Sequence, residues 1–208
     1  MKSCAILGAS GHGKVIAEIA ELNGYQNIVF FDDRWPSLKS VEHWSVFGDT
    51  STLTSTVKEY DLVVVAIGHN AIRCGKQYEL SQAGATFGVL VHPSAVISKY
   101  ASINAGTVVM ANAVVNPFSH IGVSCIINTG STVDHDCKLD EGVHISPGVN
   151  LAGGVEVGKN TWIGIGSQVK QLVVIGCDSV VGAGSTVVNN VPNFKTVVGS
   201  PAHELIKS

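Results

Sequence analysis

From residue 91 to residue 187 the chain carries Leu, Ile or Val at every sixth position, from Val91, Ile97 and Ile103 through to Val181 and Val187, without an exception. A helix repeats every 3.6 residues and a strand every two, so a strict period of six demands a unit that closes on itself and stacks. Two residues before each aliphatic, from Ala95 to Ser185, stands Ala, Ser, Thr, Cys or Val. One large and one small inward residue per six-residue side describes a three-sided coil of stacked parallel strands. Three hexads make one coil, and residues 91–192 supply between five and six of them. Glycines directly after many of the aliphatics (Gly122, Gly158, Gly164, Gly176, Gly182) are expected to form its sharp corners.

Residues 1–90 follow another rule. Residues 3–8 are a short apolar run ending in a glycine cluster, and Val15, Ile16, Ile19, Ala20 and Leu22 carry helical spacing up to Gly24. Further apolar runs at 27–31 and 61–67 end in Asp32-Asp33 and Gly68, a polar helical stretch reaches Gly84, and 86–91 reads as a last strand. Strands alternating with helices imply a parallel sheet with its ligand site at the carboxyl ends of the strands, where Ser10 to Gly13, Asp32-Asp33 and Gly68-His69 fall. The expected organisation is an α/β domain over 1–90, a β-helix over 91–192 and a C-terminal tail over 193–208.

Composition narrows the partners. A net charge of −3 with no run of like charges offers nothing to nucleic acid or an anionic membrane, leaving a small molecule as the expected ligand. Five scattered cysteines without a C-x-x-C pair argue against a disulfide framework or a structural zinc site, and read as small buried hydrophobes in a reducing compartment. With no signal-peptide core and no apolar stretch of membrane length, the expected location is the cytoplasm.

Two places carry chemistry. Gly8-x-x-Gly11-x-Gly13-Lys14 satisfies G-x-x-x-x-G-K, but Val15 replaces the Ser or Thr that would hold magnesium, and the spacing is not G-x-G-x-x-G. What survives is a strand-to-helix turn whose bare backbone and helix amides can approach an anionic ligand. In the coil, His135 stands two residues after the inward Val133, at a corner and facing outward, between Asp134 and Asp136. An imidazole accepts a proton at neutral pH, and a neighbouring carboxylate orients it and raises its basicity. Either aspartate could be that neighbour. His92, before Pro93, reads as structural, and His120 is ambiguous.

Gly8-Ala-Ser-Gly-His-Gly-Lys14, Phe31-Asp-Asp33, Ala66-Ile-Gly68, Val91-His-Pro93, Asn128-Thr129, Asp134-His-Asp136 and Val198-Gly-Ser-Pro-Ala202 together give the whole chain a resemblance. It resembles the hexapeptide-repeat acyltransferases, in the branch that acetylates nucleotide-linked aminosugars and sialic acid. The resemblance implies a Rossmann-like nucleotide-sugar-binding domain followed by a left-handed parallel β-helix, acetyl-CoA as donor, no metal, and a homotrimer with the donor site between adjacent β-helices. It implies His135 as catalytic base with Asp136 as its acidic partner, and His144 as a contact of the donor's acetyl group. Gly153, Ile165 and Ala183 would line the groove for the pantetheine arm. Ser10, Gly11, His12, Asp32, Asp33 and Gly68 would contact the nucleotide sugar; His69 stands where the family often has asparagine.

The reaction so implied is N-acetylation of a nucleotide-linked 4-amino-4,6-dideoxyhexose, with UDP the favoured nucleotide, for surface glycan synthesis. O-acetylation of sialic acid uses the same base and stays open, as does a non-catalytic nucleotide-sugar-binding module. Zinc hydration enzymes share the coil but use a close H-x-x-x-x-H pair, whereas His120, His135 and His144 are spaced 15 and 9 apart.

Overall fold

The computed structural model describes residues 1–205, and the chain divides into two compact units, Met1–Pro93 and Ser94 onward. In the first unit, strand β1 (Ser3–Leu7) leads through the glycine turn into helix α1 (Gly11–Leu22), then β2 (Asn27–Phe31). A hairpin of β3 (Ser40–Val41) and β4 (Trp44–Gly48), a short helix α2 (Thr50–Thr56), β5 (Leu62–Val65) and helix α3 (Asn70–Gln82) complete it. The sheet order is β3-β4-β2-β1-β5, parallel except for the hairpin. Because β1 has β2 on one side and β5 on the other, the connections diverge at its carboxyl end, where such sheets bind ligands. Ala5, Leu7, Phe31, Leu53, Val57, Val63, Val65 and Leu80 form the core on one face.

The hairpin and α2 were not expected from the sequence: β3 and β4 are only two and five residues long, and the Thr- and Ser-rich α2 has a single Leu53 to mark a buried face. The sequence reading also drew the last strand too long. Only Leu90–Val91 is extended as a strand; Thr86 contributes a carbonyl that accepts from the Val63 amide at 2.9 Å.

In the second unit the period of six becomes three flat faces of two-residue strands. The first face stacks the strands ending at Ile97, Val115, Val133, Leu151, Val169 and Val187; the second, those ending at Ile103, Ile121, Leu139, Val157 and Ile175. The third includes those ending at Val109, Ile127, Ile145, Ile163 and Val181. Each strand pairs in parallel with the one 18 residues on, as in Thr132↔Asn150, and the recurring aliphatics from Val109 to Val187 are 3% exposed or less. The small inward positions from Thr107 to Ser185 are also buried. Several of their hydroxyls and thiols donate across the coil to the carbonyl 15 residues ahead, as Ser119 Oγ does to Asp134 O (2.6 Å) and Cys137 Sγ to Ala152 O (3.3 Å). Residues set apart as a tail add Thr196–Val198 to the third face, with His203–Glu204 antiparallel to it. Residues 206–208 lie outside the described part.

The corners correct an expectation. Left-handed backbone falls at every sixth residue from Gly106 to Gly184, three positions after each aliphatic, and not at the glycines one position after it. The latter are needed for a different reason: a Cβ on Gly122 would lie 2.6 Å from the backbone of Asp140 in the next coil. Coil-to-coil approach excludes the side chain there, while φ > 0 selects Gly, Asn and Asp at the true corner. None of the five cysteines forms a disulfide, but only Cys4, Cys125 and Cys137 are buried; Cys74 and Cys177 are partly exposed.

Candidate active site

His135 and Asp136 occupy the corner between the first and second faces, with Asp136 at the left-handed position (φ 60°). That geometry turns the Asp136 carboxylate back onto the ring, Nδ1 to Oδ2 at 2.7 Å. A carboxylate only accepts, so Nδ1 carries the proton and Nε2 keeps its lone pair. The Asp136 hydrogen bond, with the Asp134 charge behind it, raises the His135 pKa above the ordinary histidine value. Asp134 has another task. Its Oδ1 accepts from the His135 backbone N–H and from Asn116 Nδ2, both at 2.8 Å, which fixes the loop that carries the histidine and holds the Asp134 carboxyl below its usual range. The question of which aspartate meets the ring is thereby answered, and Asn116 was missed although it stands one coil before Asp134.

Gly153 lies one coil above His135. A Cβ there would meet Nε2 and Cε1 of the ring at 2.6 Å, so glycine is what lets the imidazole lie flat against the next corner. His135, Asp136, Gly153, Gly154, Gln171 and Leu172 line an open pocket of about 280 Å³. Both side chains of the dyad are more than half exposed.

His144 lies elsewhere, on the third face, with Nε2 3.2 Å from Asn128 Nδ2 and its ring stacked toward Trp162. That face is the side of the triangle opposite the His135 corner. Since a six-residue side is about 20 Å long at ~3.3 Å per residue, the body of the coil separates the two imidazoles of one chain. Ile165 and Ala183 stack 18 residues apart at a further corner, between the third and first faces, away from Gly153. One groove of one chain does not contain Gly153, Ile165 and Ala183.

In the first unit the glycines of the turn divide by role. Gly8 (φ +112°) and Gly13 are demanded by the fold, since a Cβ on Gly13 would lie 2.3 Å from the Gly8 carbonyl oxygen. Around Gly11 and Gly68 a Cβ meets nothing within 4 Å, so no packing contact excludes a side chain at either position. Ser10 precedes α1 without using its hydroxyl as a cap. Asp32 clamps the turn: Oδ2 accepts from the Ala9 N–H at 2.8 Å and both its oxygens accept from Arg34, which holds the carboxyl down at about 2. Asp33 turns the other way and accepts from the Thr50 amide at the start of α2. His69 caps α3 through Nδ1, a weak 3.4 Å bond from Ile72 N. His12 is pressed toward buried Arg73; burial first, then that charge, lowers its pKa to about 4, and its enclosed Nε2 has no protein partner. Arg73 itself donates to the carbonyls of Ile67 and Gly68. Neither Arg34 nor Arg73 was picked out from sequence; Arg34 follows Asp32-Asp33 directly, whereas nothing local marks Arg73.

Among the described residues, no group of three or more His, Cys, Asp or Glu could hold a metal ion, and no helix is long and apolar enough to cross a membrane. A coil of hexads with an exposed histidine–aspartate pair at one corner, preceded by a nucleotide-type α/β unit, defines the class of hexapeptide-repeat acyltransferases.

Comparison with known proteins narrows the class. Residues 3–77 match the PglD N-terminal domain family. The chain is 42% identical to the acetyltransferase domain of PglB from Neisseria gonorrhoeae FA1090, solved with acetyl coenzyme A, over 98% of this chain and 99% of that one, with a TM-score of 0.94. It is 34% identical to perosamine N-acetyltransferase from Caulobacter crescentus, solved as a mutant with CoA and GDP-perosamine, over 100% and 98% of the two chains, with a TM-score of 0.95. Among curated proteins it is 36% identical over 114 residues to UDP-N-acetylbacillosamine N-acetyltransferase of Bacillus subtilis (strain 168). That match spans 53% of this chain and about half, 52%, of the relative. The chain belongs to the hexapeptide-repeat sugar N-acetyltransferases, with a Rossmann-like PglD-type domain ahead of a left-handed β-helix.

Proposed function

We propose that the chain transfers the acetyl group of acetyl-CoA to the 4-amine of a nucleotide-linked 4-amino-4,6-dideoxyhexose, in the cytoplasm, as a step of surface glycan synthesis. The observation that carries the reading is the 2.7 Å bond from His135 Nδ1 to Asp136, which leaves Nε2 as an oriented acceptor in an open pocket. As the amine nitrogen attacks the thioester carbonyl, Nε2 takes the ammonium proton; the C–S bond breaks and the sulfur leaves as thiol with that proton. The Asp136 carboxylate stabilises the imidazolium formed in between.

His144 polarises the thioester carbonyl in this reading, and the donor's arm passes Ile165 and Ala183. Since these residues lie across the coil from His135 and Gly153, one thioester reaches both sets only when they come from two copies of the chain. A homotrimer satisfies this with one site at each of its interfaces. Ser10, Gly11, His12 and Gly68 receive the sugar nucleotide, with Asp32 holding the glycine turn through the Ala9 amide, while Asp33 is taken up by the Thr50 amide. UDP is favoured because the Bacillus relative is named for a UDP sugar, although the Caulobacter relative binds GDP-perosamine.

The test is a thiol-release assay of the purified protein with acetyl-CoA and UDP-, dTDP- and GDP-linked aminosugars, with free sialic acid as the hydroxyl acceptor. Release with a 4-amino sugar nucleotide is expected. Release only with sialic acid turns the reading to O-acetylation, and none with any acceptor would leave a binding module.

A further inference from the structure

Left-handed backbone costs an ordinary side chain on the order of 1 kcal/mol, which is why Gly, Asn and Asp are expected at the coil corners. From Gly106 to Gly184 those positions hold Gly, Asn, Asp or Ser, with two exceptions: Phe118 (φ 64°) and Leu172 (φ 61°). Both stand in the corner column that carries Asp136, Phe118 one coil before it and Leu172 two coils after it. Phe118 stacks on Tyr100 with ring centroids 5.4 Å apart, an internal contact that accounts for it. Leu172 is 75% exposed and folds over Gly154, so that a Cβ built on Gly154 would lie 2.7 Å from its Cδ2. Packing of the coil does not call for a large apolar side chain there, on a strained backbone, at the rim of the pocket that holds His135 Nε2.

We propose that Leu172 is a specificity-determining residue: it receives the methyl group that a 6-deoxysugar bears on the ring carbon next to the reacting 4-amine. The inference rests on the acceptor class given above. With the amine at Nε2, the substituent on the adjacent carbon lies one ring bond farther along the same pocket, whose lining beyond the dyad is Gly153, Gly154, Gln171 and Leu172, with Leu172 its one large apolar side chain. A methyl group finds apolar surface there. A hydroxymethyl group brings a hydroxyl that the leucine cannot satisfy, and apolar sites reject such an addition by about 10- to 100-fold. Because Leu172 is largely exposed, the lower end of that range is expected.

The experiment compares kcat/KM for a UDP-linked 4-amino-4,6-dideoxyhexose and its 6-hydroxy counterpart in the wild type, Leu172→Gly and Leu172→Asn. Both replacements suit φ > 0, so the thermal transition should hold or rise. The expected result is a wild-type preference of about tenfold or more for the deoxysugar, lost in Leu172→Gly and reversed in Leu172→Asn, whose amide can bond the hydroxyl. A preference unchanged in both variants, or a rise in KM for acetyl-CoA with the preference intact, overturns the proposal. A wild type that acetylates neither sugar, whether linked to UDP, dTDP or GDP, overturns the acceptor reading and this inference with it, whereas turnover of both at equal rates defeats only the inference.

Discussion

His12 and His135 carry the same imidazole in the two units of the chain, and their surroundings drive it in opposite directions. His12 is enclosed beside Arg73, so burial and a like charge keep it neutral down to about pH 4. His135 stands at an open corner with Asp136 on Nδ1, and its pKa is raised. Burial makes a histidine a permanent acceptor; a carboxylate at a solvent-facing corner makes it a base that cycles its proton near neutrality. In the proposed reaction the α/β unit holds its ligand and the coil supplies the base.

The strongest way to break this comparison is to remove the reacting ring. His135→Ala should lower kcat by roughly 10²- to 10⁴-fold with the thermal transition and the affinity for both substrates nearly unchanged. Retention of more than a tenth of the wild-type kcat defeats the assignment.

Gly153→Val should cost about 10²-fold in kcat, since its side chain must displace the ring from the position that Asp136 sets. Its effect therefore belongs to chemistry; a loss confined to acetyl-CoA affinity would return Gly153 to the donor groove. Asp136→Asn should cost less, about tenfold, and move the acidic limb of the pH profile downward. The sign follows from the raised pKa: activity needs the neutral ring, which appears only as pH rises through that value, and removing the carboxylate lowers it.

In the α/β unit the contrast lies between Gly11 and Gly13. Gly13→Ala should destabilise the unit by more than about 2 kcal/mol, because its Cβ collides with the Gly8 carbonyl. Gly11→Val has open space, and should leave the thermal transition in place while raising KM for the sugar nucleotide and sparing that for acetyl-CoA. If Gly11→Val weakens both ligands equally, the division of labour between the units is wrong.

A last test is a stability slope, seen only when pH is lowered. The folded pKa of His12 lies below its unfolded value of about 6.5, so the unfolded chain binds the extra proton first as pH falls. Stability should drop between about pH 6.5 and 4, by at most roughly 3 kcal/mol, and His12→Gln should flatten this drop in a thermal-shift series.

How much of this was legible in advance follows from the range of the interactions. The period of six, the inward aliphatics and the outward corner position of His135 depend on neighbours a few residues away, and the sequence alone determined them. It likewise marked the strand–glycine–helix opening, because a short apolar run and a 3.6 spacing are local signals. Only the tertiary structure decided that Asp136 rather than Asp134 meets the ring, since the choice turns on a left-handed backbone angle and on Asn116 one coil away. It alone separated the glycines that φ requires from those the next coil's approach requires, and the open Gly11 from the crowded Gly13. The placing of His144 across the coil from His135 follows from the same period, since nine residues are one and a half sides; the tertiary structure added its Asn128 and Trp162 neighbours. What the chain determined by itself is periodic and local; what the fold decided turns on backbone angles and on approaches such as those between residues 18 apart, which meet only once the coils have stacked.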